Sequence, residues 1–120
     1  MLEQDRIKIN FMARGKWEEV KTGLKQFCSS ATSITIRFHE EQDEFILERV
    51  SYEGFVPKRI RLEYDPLVPR IKYCCCDPQE HRGEITFKLV NGSAIYLVDS
   101  RVVLLKDIVF VLSSCVTGDV

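Results

Sequence analysis

Long hydrophobic runs are missing from this sequence. No uninterrupted apolar stretch exceeds five residues, as in Ile108 to Leu112, whereas a membrane-spanning helix needs about 20, so a transmembrane segment is excluded. The opening residues, Met1-Leu2-Glu3-Gln4-Asp5-Arg6, offer neither a basic nor an apolar signal region, and no secretory leader is expected there. Charge of one sign is also lacking: 17 Lys+Arg against 18 Asp+Glu leave a net charge of -1. That balance disfavours a general nucleic-acid binder. Histidine is scarce, at two residues. No Gly-x-Ser-x-Gly, phosphate-loop, dinucleotide or His-Glu-x-x-His pattern occurs, so no catalytic set and no cofactor is expected. Nor does any repeat, low-complexity tract or linker divide the 120 residues, a length that suits one domain.

What is present is a globular mixture, 45% hydrophobic and 29% charged, with little case for disorder. Five cysteines are an odd number, and Cys74, Cys75 and Cys76 are adjacent. Neighbours on a strand point to opposite faces, which makes the triplet a poor disulfide framework. Reduced thiols and a cytoplasmic location are the expectation. On a strand, Cys74 and Cys76 would stand about 7 Å apart, too far for two sulfurs on one zinc. With His81 they match no established zinc spacing, and no Cys-x-x-Cys is present, so neither a metal nor a redox centre is assigned.

Periodicity divides the chain into elements. Arg6-Ile7-Lys8-Ile9-Asn10-Phe11 alternates polar and apolar, predicting a strand that Gly15 ends. Trp17, Val20, Leu24, Phe27 and Cys28 then fall at helical intervals, and Ser29 and Ser30 close that helix. Strands follow around Ile36 and Phe38, around Phe45 and Leu47, from Arg59 to Tyr64, and from Ile71 to Cys75. Gly54 and Pro57 punctuate one loop, Asp65 to Pro69 forms a corner, and Asp77 to Gly83 reads as a polar loop. Asn91-Gly92 predicts a type I′ hairpin pairing Val90 with Ser93, Leu89 with Ala94 and Phe87 with Tyr96. The segment Arg101–Cys115 reads as a helix capped by Asp99 or Ser100, with Val102, Leu105, Val109 and Leu112 on one stripe. Its β-branched content leaves two short strands as the alternative.

The assembled expectation is an α+β domain with one curved, mostly antiparallel sheet of about six to seven strands. An N-terminal-half helix and a C-terminal helix cover one face, in the order β-α-β(5-6)-α. In element order alone this is similar to helix-grip and TATA-box-binding-protein-like architectures, a likeness that implies no activity.

Three groups of residues are candidates for function. Trp17, Tyr64, Tyr73, Phe87 and Tyr96 fall on the apolar faces. Tyrosines there suggest a cleft for a small apolar or amphipathic ligand, or else aromatic filling of the core. Arg59, Arg61, Arg70 and Lys72 would share the polar face of the sheet as an anion or partner patch, unless Glu48, Glu63 and Glu84 pair across it. Val102, Leu105, Val109 and Leu112 lie in a segment apolar on more than one side, which suggests a homodimer. His39 beside Glu40 and Glu41 lacks a nucleophile or pocket for base catalysis. A non-enzymatic ligand-binding module is the leading expectation, a homo-oligomerising module the alternative, with no nucleic acid and no membrane as partner.

Overall fold

The computed structural model describes residues 3–30, 35–50, 58–75 and 81–117. Its first element is a helix, α1 (Glu3–Ser29), which corrects the strand expected over Arg6–Phe11. The apolar residues that carry the fold are Ile9, Ala13, Trp17, Val20, Leu24 and Cys28, spaced three or four apart along one stripe that packs into the core. Ile7 and Phe11, which lent the segment its period of two, stand 62% and 81% exposed. Gly15 lies on the exposed side of α1 and does not interrupt it. Glu3 and Asp5 in the first turn favour the helix dipole.

Seven strands follow: β1 (Ile36–Glu40), β2 (Glu44–Arg49), β3 (Arg59–Asp65), β4 (Arg70–Cys75), β5 (His81–Val90), β6 (Ser93–Val98) and β7 (Arg101–Val103). They form one sheet in sequential order, every neighbouring pair antiparallel. A second helix, α2 (Leu105–Thr117), ends the fold. The class is α+β, as the sequence implies. The order is α-β-α with seven strands between the helices, so the helix-grip-like or TATA-box-binding-protein-like order, which begins with a strand, is not the one present.

The β5–β6 hairpin has the expected register, with Val90 opposite Ser93, Leu89 opposite Ala94 and Phe87 opposite Tyr96. Asn91 and Gly92 turn it with φ of 50° and 80°. Two other expectations are corrected. His81 to Gly83 belong to β5 rather than to a loop, because β4 offers them a ladder: Gly83 faces Tyr73 and Arg82 faces Cys74. A Cβ at Gly83 would collide with the Tyr73 phenol, so any larger residue there would have to displace that ring. The Asp77–Glu80 part of that loop and the Gly54/Pro57 loop lie outside the described residues. At the C-terminus, Arg101–Val103 pairs with β6 instead of starting a helix. Asp99 and Ser100, expected as caps, form the intervening turn with φ of 51° and 64°. Helical bonding starts later, where the Leu104 carbonyl accepts from the amides of Asp107 and Ile108.

The two helices lie against each other and cover one face of the sheet. Gly23 of α1 permits the approach of α2, as a Cβ there would stand 2.7 Å from Val109 Cγ2. Between the layers Trp17, Phe45, Leu24, Leu47, Ile60, Leu62 and Ile71 are fully buried. No described helix is long and apolar enough to cross a membrane.

Candidate functional site

Alternation along the strands sends Ile60, Leu62 and Tyr64 of β3 inward, and Arg59, Arg61 and Glu63 outward. Register then aligns outward side chains from neighbouring strands. Ile46, Arg61, Cys74 and Arg82 form one row across β2 to β5, and Glu44, Glu63, Lys72 and Glu84 form the next. The β3 to β5 members of these two rows, with Arg59 at the end of β3 and with Tyr73 and Gly83, line an open trough of about 650 Å³. Its lining includes the cations Arg59, Arg61, Lys72 and Arg82, the carboxylates Glu63 and Glu84, and Cys74.

Three of the four residues expected as a basic patch therefore meet at one place. Arg70 does not line it; it binds Asp65 at 3.3 Å and Glu84 at 3.4 Å. The cross-pairing weighed as the alternative is also present: Arg59 reaches Glu48 at 3.9 Å and Arg61 reaches Glu63 at 2.8 Å. Arg61 further donates to Glu44 at 2.6 Å. These pairs are solvent-accessible and individually weak, so a ligand of higher charge density can compete for the guanidinium groups. Sequence reading missed Arg82, which it put in a loop. The signal was there: Arg82, Glu84, Thr86 and Lys88 form one polar alternation that begins three residues before Ile85, the first residue of the apolar one.

At the corner between β3 and β4, Asp65 Oδ1 accepts from the amides of Leu67 at 3.0 Å and Val68 at 3.3 Å. Those amides, with Arg70, hold its carboxyl below the ordinary range. Near the β1–β2 turn a second hollow of about 420 Å³ is lined by Glu41, Gln42, Asp43, Glu44, Glu63 and Tyr64, and Arg14 of α1 pairs with Asp43. Glu63, near the end of β3, is shared by the two hollows, one mixed in charge and one acidic.

The aromatic set lies on the other side of the sheet. Trp17 is fully buried, Tyr64 and Tyr96 are 4% exposed and Phe87 is 8% exposed. Trp17 stacks on Tyr64 with centroids 5.9 Å apart, and Phe87 meets Tyr96 at 5.8 Å. The polar tips have partners: Trp17 Nε1 donates to the Gln42 carbonyl at 2.8 Å, and the Tyr96 hydroxyl lies 3.1 Å from Glu19 Oε2. Tyr73 is half-buried and packs against the core, but it also borders the outer trough, and burial raises its phenol pKa. The structure brings these five rings into two packed pairs and a separate tyrosine.

Of the expected C-terminal interface, Val109 and Leu112 are buried within the molecule's own core, and Leu105 packs against it. Val102 sits on β7, 63% exposed, off the helical stripe to which it was assigned. His39 is exposed on β1. Cys28, Cys74, Cys75 and Cys115 are thiols rather than halves of a disulfide; Cys76 and the side chain of His81 lie outside the described residues. Among those described, no group of three or more His, Cys, Asp or Glu side chains is placed to hold a metal.

No family model, no curated protein and no solved structure matches this chain. The reading of the site rests on its geometry.

Proposed function

We propose that this domain binds rather than transforms, and that it takes a small, multiply charged oxyanion in the trough on the outer face of β3 to β5. The observation that carries this reading is charge: four cations and two carboxylates around one trough. Guanidinium groups present paired donors matched to phosphate or carboxylate oxygens. Pleated strands set their spacing, and the four cations outnumber the two carboxylates that line the trough itself, although Arg59 and Arg61 also pair with Glu48 and Glu44 beside it. A small apolar ligand among Trp17, Tyr64, Phe87 and Tyr96 has less support, since those rings fill the core against each other. Oligomerisation through Leu105, Val109 and Leu112 also has less support, because these residues serve the internal packing. Four described cysteines that form no disulfide favour a reducing, cytoplasmic setting.

Isothermal titration with tripolyphosphate and with citrate at low ionic strength tests the proposal. At least one binds, more weakly as sodium chloride is added, and the Arg59→Ala/Arg82→Ala variant loses about tenfold in affinity or more, a change of about 1.4 kcal/mol. Absence of heat with both anions at millimolar concentration would overturn it, and so would affinity unchanged in the variant.

A further inference from the structure

The outer face of the sheet sorts its charges by row. Across β2 to β5, the row of Ile46, Arg61, Cys74 and Arg82 holds two cations and no carboxylate. The next row, two residues along each strand, holds the three carboxylates Glu44, Glu63 and Glu84 and the single cation Lys72. A row with a surplus of positive charge thus lies about 6.7 Å from one with a surplus of negative charge, the rise of two strand residues. The β3 to β5 members of both rows line the trough. Arg61 spans the rows, holding Glu44 at 2.6 Å and Glu63 at 2.8 Å. Glu84 is held by Arg70 at 3.4 Å.

Resting on the reading of the trough as an anion site, we infer that its ligand is a phosphate monoester that carries a primary amine. The phosphate sits between Arg61 and Arg82, above Cys74, and the ammonium meets Glu63. Arg61 and Arg82 flank Cys74 from the two neighbouring strands, about 9.6 Å apart at the backbone. Their long side chains close that gap over a short one, and two guanidinium groups match a dianion. A plain oxyanion bound there draws Arg61 away from Glu63 and leaves the carboxylate facing the ligand's negative charge. A ligand with its own cation restores the partner that Glu63 loses. Lys72 stands between Glu63 and Glu84 and leaves the row negative. Glu63 also borders the second hollow, with Glu41, Asp43 and Glu44, so the potential favours a cation on that side. A three-carbon spacer, extended, covers about the 6.7 Å between the rows.

Titration calorimetry with 3-aminopropyl phosphate and with propyl phosphate, at low ionic strength and about pH 8, tests the assignment; there the monoester is a dianion and the amine is still charged. The amine-bearing ester binds the full chain about three- to fivefold more tightly, the scale of one exposed ion pair. Glu63→Gln abolishes that advantage yet binds propyl phosphate and tripolyphosphate at least as tightly as the wild type. Glu63 is 47% exposed, and its amide isostere keeps the melting temperature, so a lost advantage is not lost folding. Arg82→Ala weakens both esters. Equal affinity for the two esters, with tripolyphosphate still bound, removes the amine and leaves the anion site standing. An advantage that survives in Glu63→Gln also refutes the assignment, as does capture by phosphatidylethanolamine vesicles without binding of the free ester. A chain that binds neither ester nor tripolyphosphate sinks this inference and the anion site together.

Discussion

Tyr96 lies between α1 and the sheet, its hydroxyl donating to Glu19 Oε2 at 3.1 Å and approaching the Lys16 carbonyl at 3.2 Å. Burial first, then the charge and hydrogen bond of Glu19, raise its pKa well above the usual 10.0 of a phenol. Tyr64 is raised in the same direction, also chiefly by burial. A raised native pKa means that the folded state holds the proton more tightly than the unfolded one. The stability this contributes is complete below the unfolded value and is lost as pH climbs toward the folded one. Denaturant unfolding followed by fluorescence is therefore expected to give a free energy falling above pH 10, the unfolded phenol value. Tyr96→Phe costs about 0.5–1.5 kcal/mol at neutral pH, the worth of one hydrogen bond, and makes the alkaline decline shallower. A Tyr96 phenol that titrates near pH 10 in the folded protein contradicts this account. The sequence told this much in advance: a tyrosine on an apolar face needs a partner for its hydroxyl. It did not say which partner, because Glu19 and Tyr96 meet only once the helix lies on the sheet.

Two glycines of α1 separate helix propensity from packing. Gly15 faces open space, whereas a Cβ at Gly23 would press on Val109 Cγ2 at 2.7 Å. Gly15→Ala is expected to stabilise the protein by about 0.5–1 kcal/mol through propensity alone. Gly23→Ala gains the same propensity but drives α2 away, for a net loss of about 1–2 kcal/mol by the usual cost of overpacking. Chemical denaturation measures both, and a shared sign would show that the α1–α2 contact yields more easily than its geometry indicates. The two positions look alike in sequence, since Val109 lies 86 residues beyond Gly23. Elements were legible where the pattern was local. The Asn91-Gly92 hairpin carries its own turn chemistry, and β3 alternates cleanly from Arg59 to Tyr64. The start of α1 was not, because Ile7, Ile9 and Phe11 mimic a strand when two of the three face water. Likewise Arg101–Val103 took strand form only because β6 had an edge to offer.

Across the whole molecule, the trough and the outer side of α1 point in opposite directions with the core between them. Arg59, Arg61, Lys72 and Arg82 line the outer face of the sheet, while Phe11 and Gly15 lie on the side of α1 turned away from the buried Ala13, Trp17 and Val20. Neither side was fully legible in sequence. The trough needs the β4–β5 register to bring Arg82 beside Cys74, and the outer side of α1 needs the helix to run through Phe11. No described charge is shared between them: Arg61 pairs with Glu44 and Glu63, and Lys21 with Glu18 and Glu40. Coupling between two faces requires a state that both bias, and the side chains between the two faces, Trp17, Leu47, Ile60 and Leu62, are fully buried in one close-packed core. Phe11→Ala is therefore expected to bind tripolyphosphate with the wild-type constant, which titration calorimetry on the variant checks. A change beyond about threefold, roughly 0.7 kcal/mol, would mean that the sheet and the helix move together when the trough is occupied.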